Sequence, residues 1–292
     1  MIDAFLEYLR YERNYSELTA ENYGKDLQDF QSYFHSLDDS LSWSDIDPDI
    51  VRGWVECMMD RGNSATSINR RLSSLRSFYR YTMRTGQLTS NPARGVEGPR
   101  KKRPLPQFVR EKEMDELLSQ ERWGDTYKEV RAYTILLVLY TTGLRLSELI
   151  SLDDTMVNLE TGELRVTGKG NKQRIIPFGE ELSQAIREFI IRRDEEVQRE
   201  DSALFVTGKG KRMNRNQVRY EVQKALATVT TLKKRSPHVL RHSFATAMLN
   251  HDAGLESVRK LLGHESLTTT EVYTHATFEQ LKRVYNSAHP RA

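Results

Sequence analysis

In the stretch GELRVTGKGNKQRIIPF, Gly162 to Phe178, the period of the apolar residues changes. Leu164 and Val166 alternate with polar neighbours, a glycine-bearing turn follows, and Arg174, Ile175 and Ile176 lead out of it. Alternation interrupted by a glycine turn is the pattern of a β-hairpin. On both sides the period is helical. EKEMDELLS, EVRAYTILLVLYTTG and LRLSELISL precede the hairpin, and helical patterns resume after Pro177 and run nearly to the end. The fold class is therefore mainly α, with a small β-sheet or hairpin in the second half of the chain.

Further upstream, the first 86 residues also read as helices: DAFLEYLRYE, then TAENYGKDLQDFQSYFHSL, then a segment capped by Asp47 with Pro48 at its first helical position. The fourth, SATSINRRLSSLRSFYRYTMRTG, repeats Ile68, Leu72, Leu75 and Tyr79 at three- and four-residue intervals, so one face packs. Arg70, Arg71, Arg76, Arg80 and Arg84 lie mostly on other faces, where they can meet phosphates. From Gly86 to Pro106 the chain is rich in proline and glycine, without periodicity, and ends in the cluster Lys101, Lys102, Arg103, whose cations can trace a nucleic acid backbone. That composition marks a linker. The expected organisation is a helical domain over 1–86, a basic linker over 87–106 and a second domain over 107–292.

A length of 292 residues suits two such domains. No run of about 18 apolar residues exists to span a membrane, and acids stand near the N-terminus where a signal peptide would be basic, so the expected compartment is the cytoplasm. A single cysteine, Cys57, rules out an internal disulfide and a multi-cysteine metal site. The net charge is only +3, but it is unevenly distributed. Residues 1–60 hold 4 basic and 14 acidic side chains, 61–110 hold 12 and 1, and 205–250 hold 10 and 1. Solvated surfaces normally mix both signs, so two blocks almost without acids point to a polyanionic partner.

VTGKG occurs twice, at Val166–Gly170 and Val206–Gly210. Neither copy is a phosphate-binding loop of the Walker type, because Glu163 or Ala203 stands where the first glycine belongs and no hydroxyl residue follows either lysine. Lys169 falls at the hairpin tip, with Lys172 and Arg174 nearby as expected DNA contacts, whereas Lys209 joins Lys211, Arg212 and Arg215 in a run suited to clamping a DNA backbone. Arg145 and Glu148 are three residues apart, so the carboxylate can steer the guanidinium. His238 and Arg241 share a helical face in SPHVLRHSFATAMLN, next to the apolar line Leu240, Phe244 and Met248. Thr268 and Glu271 have capping-box spacing, which puts Tyr273 in the second turn of a short helix and His264 in the loop before it. The sequence carries no serine elbow, no paired zinc-ligand histidines and no acidic metal cluster.

TGLRLSEL, GKGNKQRIIP, HVLRHSFAT and LGHESLTTTEVYTH, in this order and spacing, resemble the tyrosine site-specific recombinases of the phage integrase family, and specifically their Xer type. SINRRLSSLRSFY and the NPA before the linker also resemble the Xer DNA-clamping domain, and LKRVYNSAHPRA resembles the Xer tail. The resemblance implies a two-domain, C-shaped clamp on double-stranded DNA. It implies Tyr273 as nucleophile, Arg145 and Arg241 on the phosphate, Lys169 as general acid, and His238 and His264 as the remaining members, with Glu148 in support. Ala247 departs from the histidine found there in many relatives, outside the catalytic set. The resemblance further implies chromosome-dimer resolution before cell division by a homo- or hetero-tetramer with a paralogue, under a septal DNA translocase. No cofactor, metal or ATP is called for.

The chemistry suits those roles. A phosphodiester repels nucleophiles, and two fixed guanidiniums can stabilise the charge that its transition state gathers. A phenol with an ordinary pKa of about 10 needs an acceptor such as His238, and the leaving deoxyribose oxygen needs a proton, which Lys169 can give. The phosphotyrosine then conserves the cut bond for rejoining. A phage or transposon integrase would use the same residues, but many of these carry an extra arm-binding segment before the position of Met1. A regulator that only binds DNA would need the basic blocks but neither Lys169 nor Tyr273. The amphipathic segment TFEQLKRVYNSA offers Phe278, Leu281 and Tyr285 for docking, and 277–292 is expected to seat on a neighbouring protomer.

Overall fold

The computed structural model describes residues 1–101, 107–168, 173–263 and 275–292. The chain forms two compact units, Met1–Pro104 and Leu105–Ala292.

In the first unit, α1 (Ile2–Glu7) runs on into a π-helical turn, Tyr8–Glu12. The next three helices each start at a side-chain cap: Ser16 for α2 (Glu17–Leu37), Asp47 for α3 (Pro48–Asp60) and Ser64 for α4 (Ala65–Arg84). Asp47 accepts from the backbone N–H groups of Asp49 and Ile50 at 2.8 Å each, which satisfies two of the orphan donors that begin α3. Ile68, Leu72, Leu75 and Tyr79 point into a core with Phe30, Phe34, Trp43 and Trp54.

The composition-based linker is part of this unit for most of its length. Ala93 and Val96 are buried in the same core. The Arg76 guanidinium donates to the Ala93 carbonyl at 2.9 Å and to that of Val96, and the Asn69 amide donates to Pro99 at 2.8 Å. An irregular segment can be held as firmly as a helix when side chains take up its backbone carbonyls, and such bonds leave no trace in periodicity.

The second unit is built around α6 (Tyr127–Thr142), buried at every position except Lys128 and Glu129, as a helix apolar on all sides must be. Helices α8 (Glu180–Glu196), α9 (Arg215–Leu226) and α10 (Pro237–Asn250) pack around it. α5 (Glu111–Leu117) precedes it, and α7 (Leu146–Ile150) follows it. The hairpin is present as β2 (Glu163–Thr167) paired antiparallel with β3 (Gln173–Pro177), and β1 (Val157–Asn158) adds a short third strand in the order β1-β2-β3. Register pairs Leu164 with Ile176 and Val166 with Arg174.

α11 (Leu255–Leu262) and α12 (His275–Ala288) complete the unit. α12 covers most of the segment 277–292 that was expected to seat on a neighbouring protomer. Leu281 and Tyr285 are buried in a cluster with Phe244 and Met248 of α10 and Leu261 and Leu262 of α11, and Phe278 is buried as well. The apolar face of α12 is thus satisfied within its own chain, at about 1.5–3 kcal/mol for each large side chain removed from water. No helix among the described residues is long and apolar enough to cross a membrane.

Candidate active site

The site begins where α6 stops. Gly143 ends that helix in the left-handed region, φ +61°, and a Cβ there would lie 2.6 Å from Phe244 and 2.8 Å from Leu262. Only glycine allows the chain to turn this tightly against α10 and α11. Two residues later, Arg145 occupies the N-cap of α7, and its backbone N–H donates to Glu148 Oε2 at 2.8 Å. The helix start therefore fixes both the guanidinium and the carboxylate that steers it.

Glu148 is 3 % exposed, and its four acceptor positions are all engaged. Oε1 accepts from Arg145 Nη1 at 2.9 Å and Arg174 Nη1 at 2.8 Å, while Oε2 accepts from the Arg145 backbone and from Arg174 Nη2 at 3.0 Å. Burial alone would raise the carboxyl pKa, but the bonds and charge of Arg174, followed by those of Arg145, outweigh it and hold the group below its ordinary range.

Arg241, one helical turn after His238 on α10, is 8 % exposed. Its Nη1 donates to the Gly143 carbonyl and its Nη2 to that of Leu262, both at 2.6 Å. Burial, then the positive charge of Arg145, pushes its pKa down from the ordinary guanidinium range to about 10, so the guanidinium is still charged at neutral pH. Arg145 Nη2 donates to the Gly263 carbonyl at 3.0 Å, and its side chain is 35 % exposed. Two side-chain bonds on each arginine leave further guanidinium donors among the described residues, which suits an anionic, tetrahedral ligand. His238, on the first turn of α10, has its pKa lowered by desolvation of the ring and then by His242, Arg241, Arg219 and Arg145. It is therefore neutral at pH 7 and able to accept a proton.

Lys169, His264 and Tyr273, with Lys102, Arg103 and Lys172, lie outside the described residues. The described members Arg145, Glu148, His238 and Arg241 come together around the ends of α6 and α11, and the segment holding His264 and Tyr273 follows α11 directly in the chain.

The residues expected to bind DNA fall into different situations. Arg80, Lys101, Lys209, Lys211 and Arg215 are exposed. Arg70 pairs with Asp26, and Arg71 with Asp29 at 2.8 Å, so acids from α2 neutralise part of the arginine stripe on α4. Arg76 is engaged by the backbone of 93–96. Arg212 binds Asp153 at 2.7 Å and the Ile150 carbonyl at 2.9 Å. Arg174 is not on the surface at all, being 6 % exposed beneath Arg145. Its inward direction was readable from the strand: it stands two residues before the core residue Ile176, on the same face. The second VTGKG copy forms a tight turn in which Gly210 has φ +78° and donates its N–H to the Thr207 carbonyl at 2.9 Å.

Comparison with known proteins places these features in a group. The family model described as phage integrase family matches residues 107–280, and the model described as phage integrase, N-terminal SAM-like domain, matches residues 2–86. The chain is 40% identical to tyrosine recombinase XerC of Chlorobaculum parvum, covering 100% of this chain and 94% of that one. It is 38% identical to tyrosine recombinase XerD of Oceanobacillus iheyensis, covering 100% and 98%. Among solved structures, XerH site-specific recombinase bound to palindromic difH substrate, in a post-cleavage complex, has the same fold, with a TM-score of 0.72 at 22% identity over 97% of this chain and 83% of that one.

Proposed function

Because the chain belongs to the phage integrase family and is a site-specific tyrosine recombinase, a DNA strand-exchange enzyme, we propose that it cuts and rejoins duplex DNA through Tyr273. The observation that carries this reading is the convergence of Arg145 and Arg241 on consecutive carbonyls, Gly263 and Leu262, immediately before the segment that contains Tyr273.

In the proposed reaction the scissile phosphate sits on the two guanidiniums, whose remaining donors meet its non-bridging oxygens. Charge accumulates on those oxygens during attack, and cations already fixed by protein carbonyls stabilise it without having to reorganise. The Tyr273 oxygen attacks phosphorus as its proton passes to His238, whose lowered pKa keeps it neutral and ready to accept. The bond from phosphorus to the deoxyribose oxygen breaks, and Lys169 supplies the proton that this oxygen takes up. His264 completes the set. The resulting 3'-phosphotyrosine is attacked by the hydroxyl of a second DNA end in the reverse sequence, so no bond energy is lost and no ATP is needed.

In this reading Arg80, Lys101, Lys209, Lys211 and Arg215 contact the DNA backbone from the two units, with 1–86 and 107–292 as its two DNA-gripping domains. Exchange between two duplexes needs four active sites, supplied by a tetramer of this chain or of this chain with a paralogue. The likeness to XerC and XerD along the whole chain supports chromosome-dimer resolution over mobile-element integration. Such a duty belongs in the cytoplasm, under a septal DNA translocase.

A nicked suicide substrate tests the chemistry. The parent protein should become covalently joined to DNA, and mass spectrometry should find the nucleotide on Tyr273. Tyr273→Phe should bind the site but form no adduct; an adduct from that variant, or one mapped to another residue, overturns the assignment.

A further inference from the structure

Gly263 caps α11 in the left-handed region, φ +64°, and its N–H returns to the Lys260 carbonyl at 3.0 Å. Beyond that bond, three successive carbonyls at the end of this helix each accept from a different arginine. Leu261 is bound by Arg174 Nε at 3.2 Å, Leu262 by Arg241 Nη2 at 2.6 Å and Gly263 by Arg145 Nη2 at 3.0 Å. The arginines come from β3, α10 and the start of α7, segments far apart in the sequence. A helix C-terminus carries about half a negative charge, so three cations can gather there.

Within this cluster Arg174 differs from the other two. It is slightly more buried than Arg241, yet it reaches both oxygens of Glu148, and its remaining bond holds α11. A Cβ on Gly263 would come within 3.0–3.1 Å of its guanidinium, so the turn and the arginine are packed against each other. We propose that Arg174 is a positioning residue for strand cleavage: it fixes Glu148 and the end of α11 so that the Arg145 guanidinium is held on both sides where the phosphate arrives. This rests on the recombinase reading above, and it gives Arg174 a role other than DNA-backbone contact.

The geometry leaves little slack. Arg145 is held at Glu148 and at Gly263, and Arg174 touches both of those anchors. Loss of Arg174 leaves Glu148 buried with Arg145 as its one bonded cation and Arg241 as the next charge nearby, so burial then dominates and the carboxyl pKa rises. A protonated Glu148 holds Arg145 less firmly, and cleavage then fails from the acid side at a higher pH than in the parent protein.

The test uses the full chain and a nicked suicide DNA, with adduct formation followed in a single turnover at saturating protein and affinity measured separately by equilibrium binding. Arg174→Met should slow adduct formation about 10- to 100-fold, as loss of an orienting partner typically does, with Kd changed less than about threefold. Arg174→Lys should recover part of the rate, and the acid limb of the rate–pH profile should move upward in Arg174→Met. In a Glu148→Gln background, Arg174→Met should add little further loss, because both changes break one linkage. Parent-like rates in Arg174→Met, a loss of affinity that accounts for the loss of rate, or losses that multiply in the double variant would overturn the proposal. If Arg174→Met does not fold, as judged by thermal unfolding, the split between rate and affinity in Arg174→Lys decides. Absence of an adduct from the parent protein would instead sink the recombinase reading, and this inference with it.

Discussion

Acidification should loosen the seat of α12 through one buried imidazole. His289 is 5 % exposed, with its ring stacked at 5.2 Å on Tyr285 and 5.5 Å on Phe244 and edge-on to Tyr140 at 5.4 Å. Its Nδ1 accepts the Arg291 backbone N–H at 3.1 Å, which requires that nitrogen to be unprotonated. Burial is the main cause that pushes its pKa from 6.5 down to about 4, against a smaller opposing pull from the Tyr140 backbone. Below about pH 6.5 the unfolded chain takes up a proton that the folded chain refuses. Stability is therefore fully present above that pH and is lost as the pH falls toward 4. At 1.36 kcal/mol per unit, the loss is about 2 kcal/mol by pH 5 and about 3 kcal/mol by pH 4. Urea unfolding of the parent and of His289→Phe, at fixed ionic strength from about pH 4.5 to 7.5, isolates this contribution because the remaining histidines cancel in the difference. His289→Phe keeps an aromatic ring in the stack and should gain on the parent by about 2 kcal/mol between pH 7 and pH 5. Parallel stability curves for the two proteins would refute the reasoning.

Gly143→Ala should destabilise the second unit by about 2–4 kcal/mol, combining the left-handed backbone penalty with a Cβ 2.6 Å from Phe244, and calorimetry should show the lowered transition. Arg80→Ala and Arg76→Ala should separate DNA contact from internal support. The exposed Arg80 should weaken DNA binding and reduce the salt slope by about 1 while leaving stability within about 0.5 kcal/mol, whereas Arg76→Ala should cost about 2 kcal/mol or more in stability through its two carbonyl partners.

The local parts of the fold were legible because each rests on short-range chemistry. Asp47 with Pro48 announced a helix start, the stripe from Ile68 to Tyr79 announced a buried face, and the change of period at Leu164 announced the hairpin. Three features were not legible for a shared reason. Residues 87–99 have the composition of a linker, yet Arg76 and Asn69 hold their carbonyls. The acidic and basic blocks are separate along the chain, yet Asp26 and Asp29 of α2 meet Arg70 and Arg71 of α4 in space. The apolar face of α12 was open to a neighbour on paper, yet α10 and α11 supply its cover. In each case the deciding partner is remote in sequence, and no window of residues contains both members of the pair.

The candidate site shows the same division. Motif spacing brought Arg145 together with Glu148 and His238 with Arg241, because those pairs lie within one helical turn. It could not show why the like-charged guanidiniums stay together without DNA. Three arginines around one glutamate leave two net positive charges, and mutual repulsion would scatter flexible side chains. The end of α11 prevents this, since its successive carbonyls bind all three groups at the negative pole of the helix. The cations are therefore ordered by the protein's own backbone, and in the proposed reaction their excess positive charge is what meets the phosphate. Preorganisation of this kind resides in backbone oxygens, which every residue possesses, so no residue type marks it in a sequence.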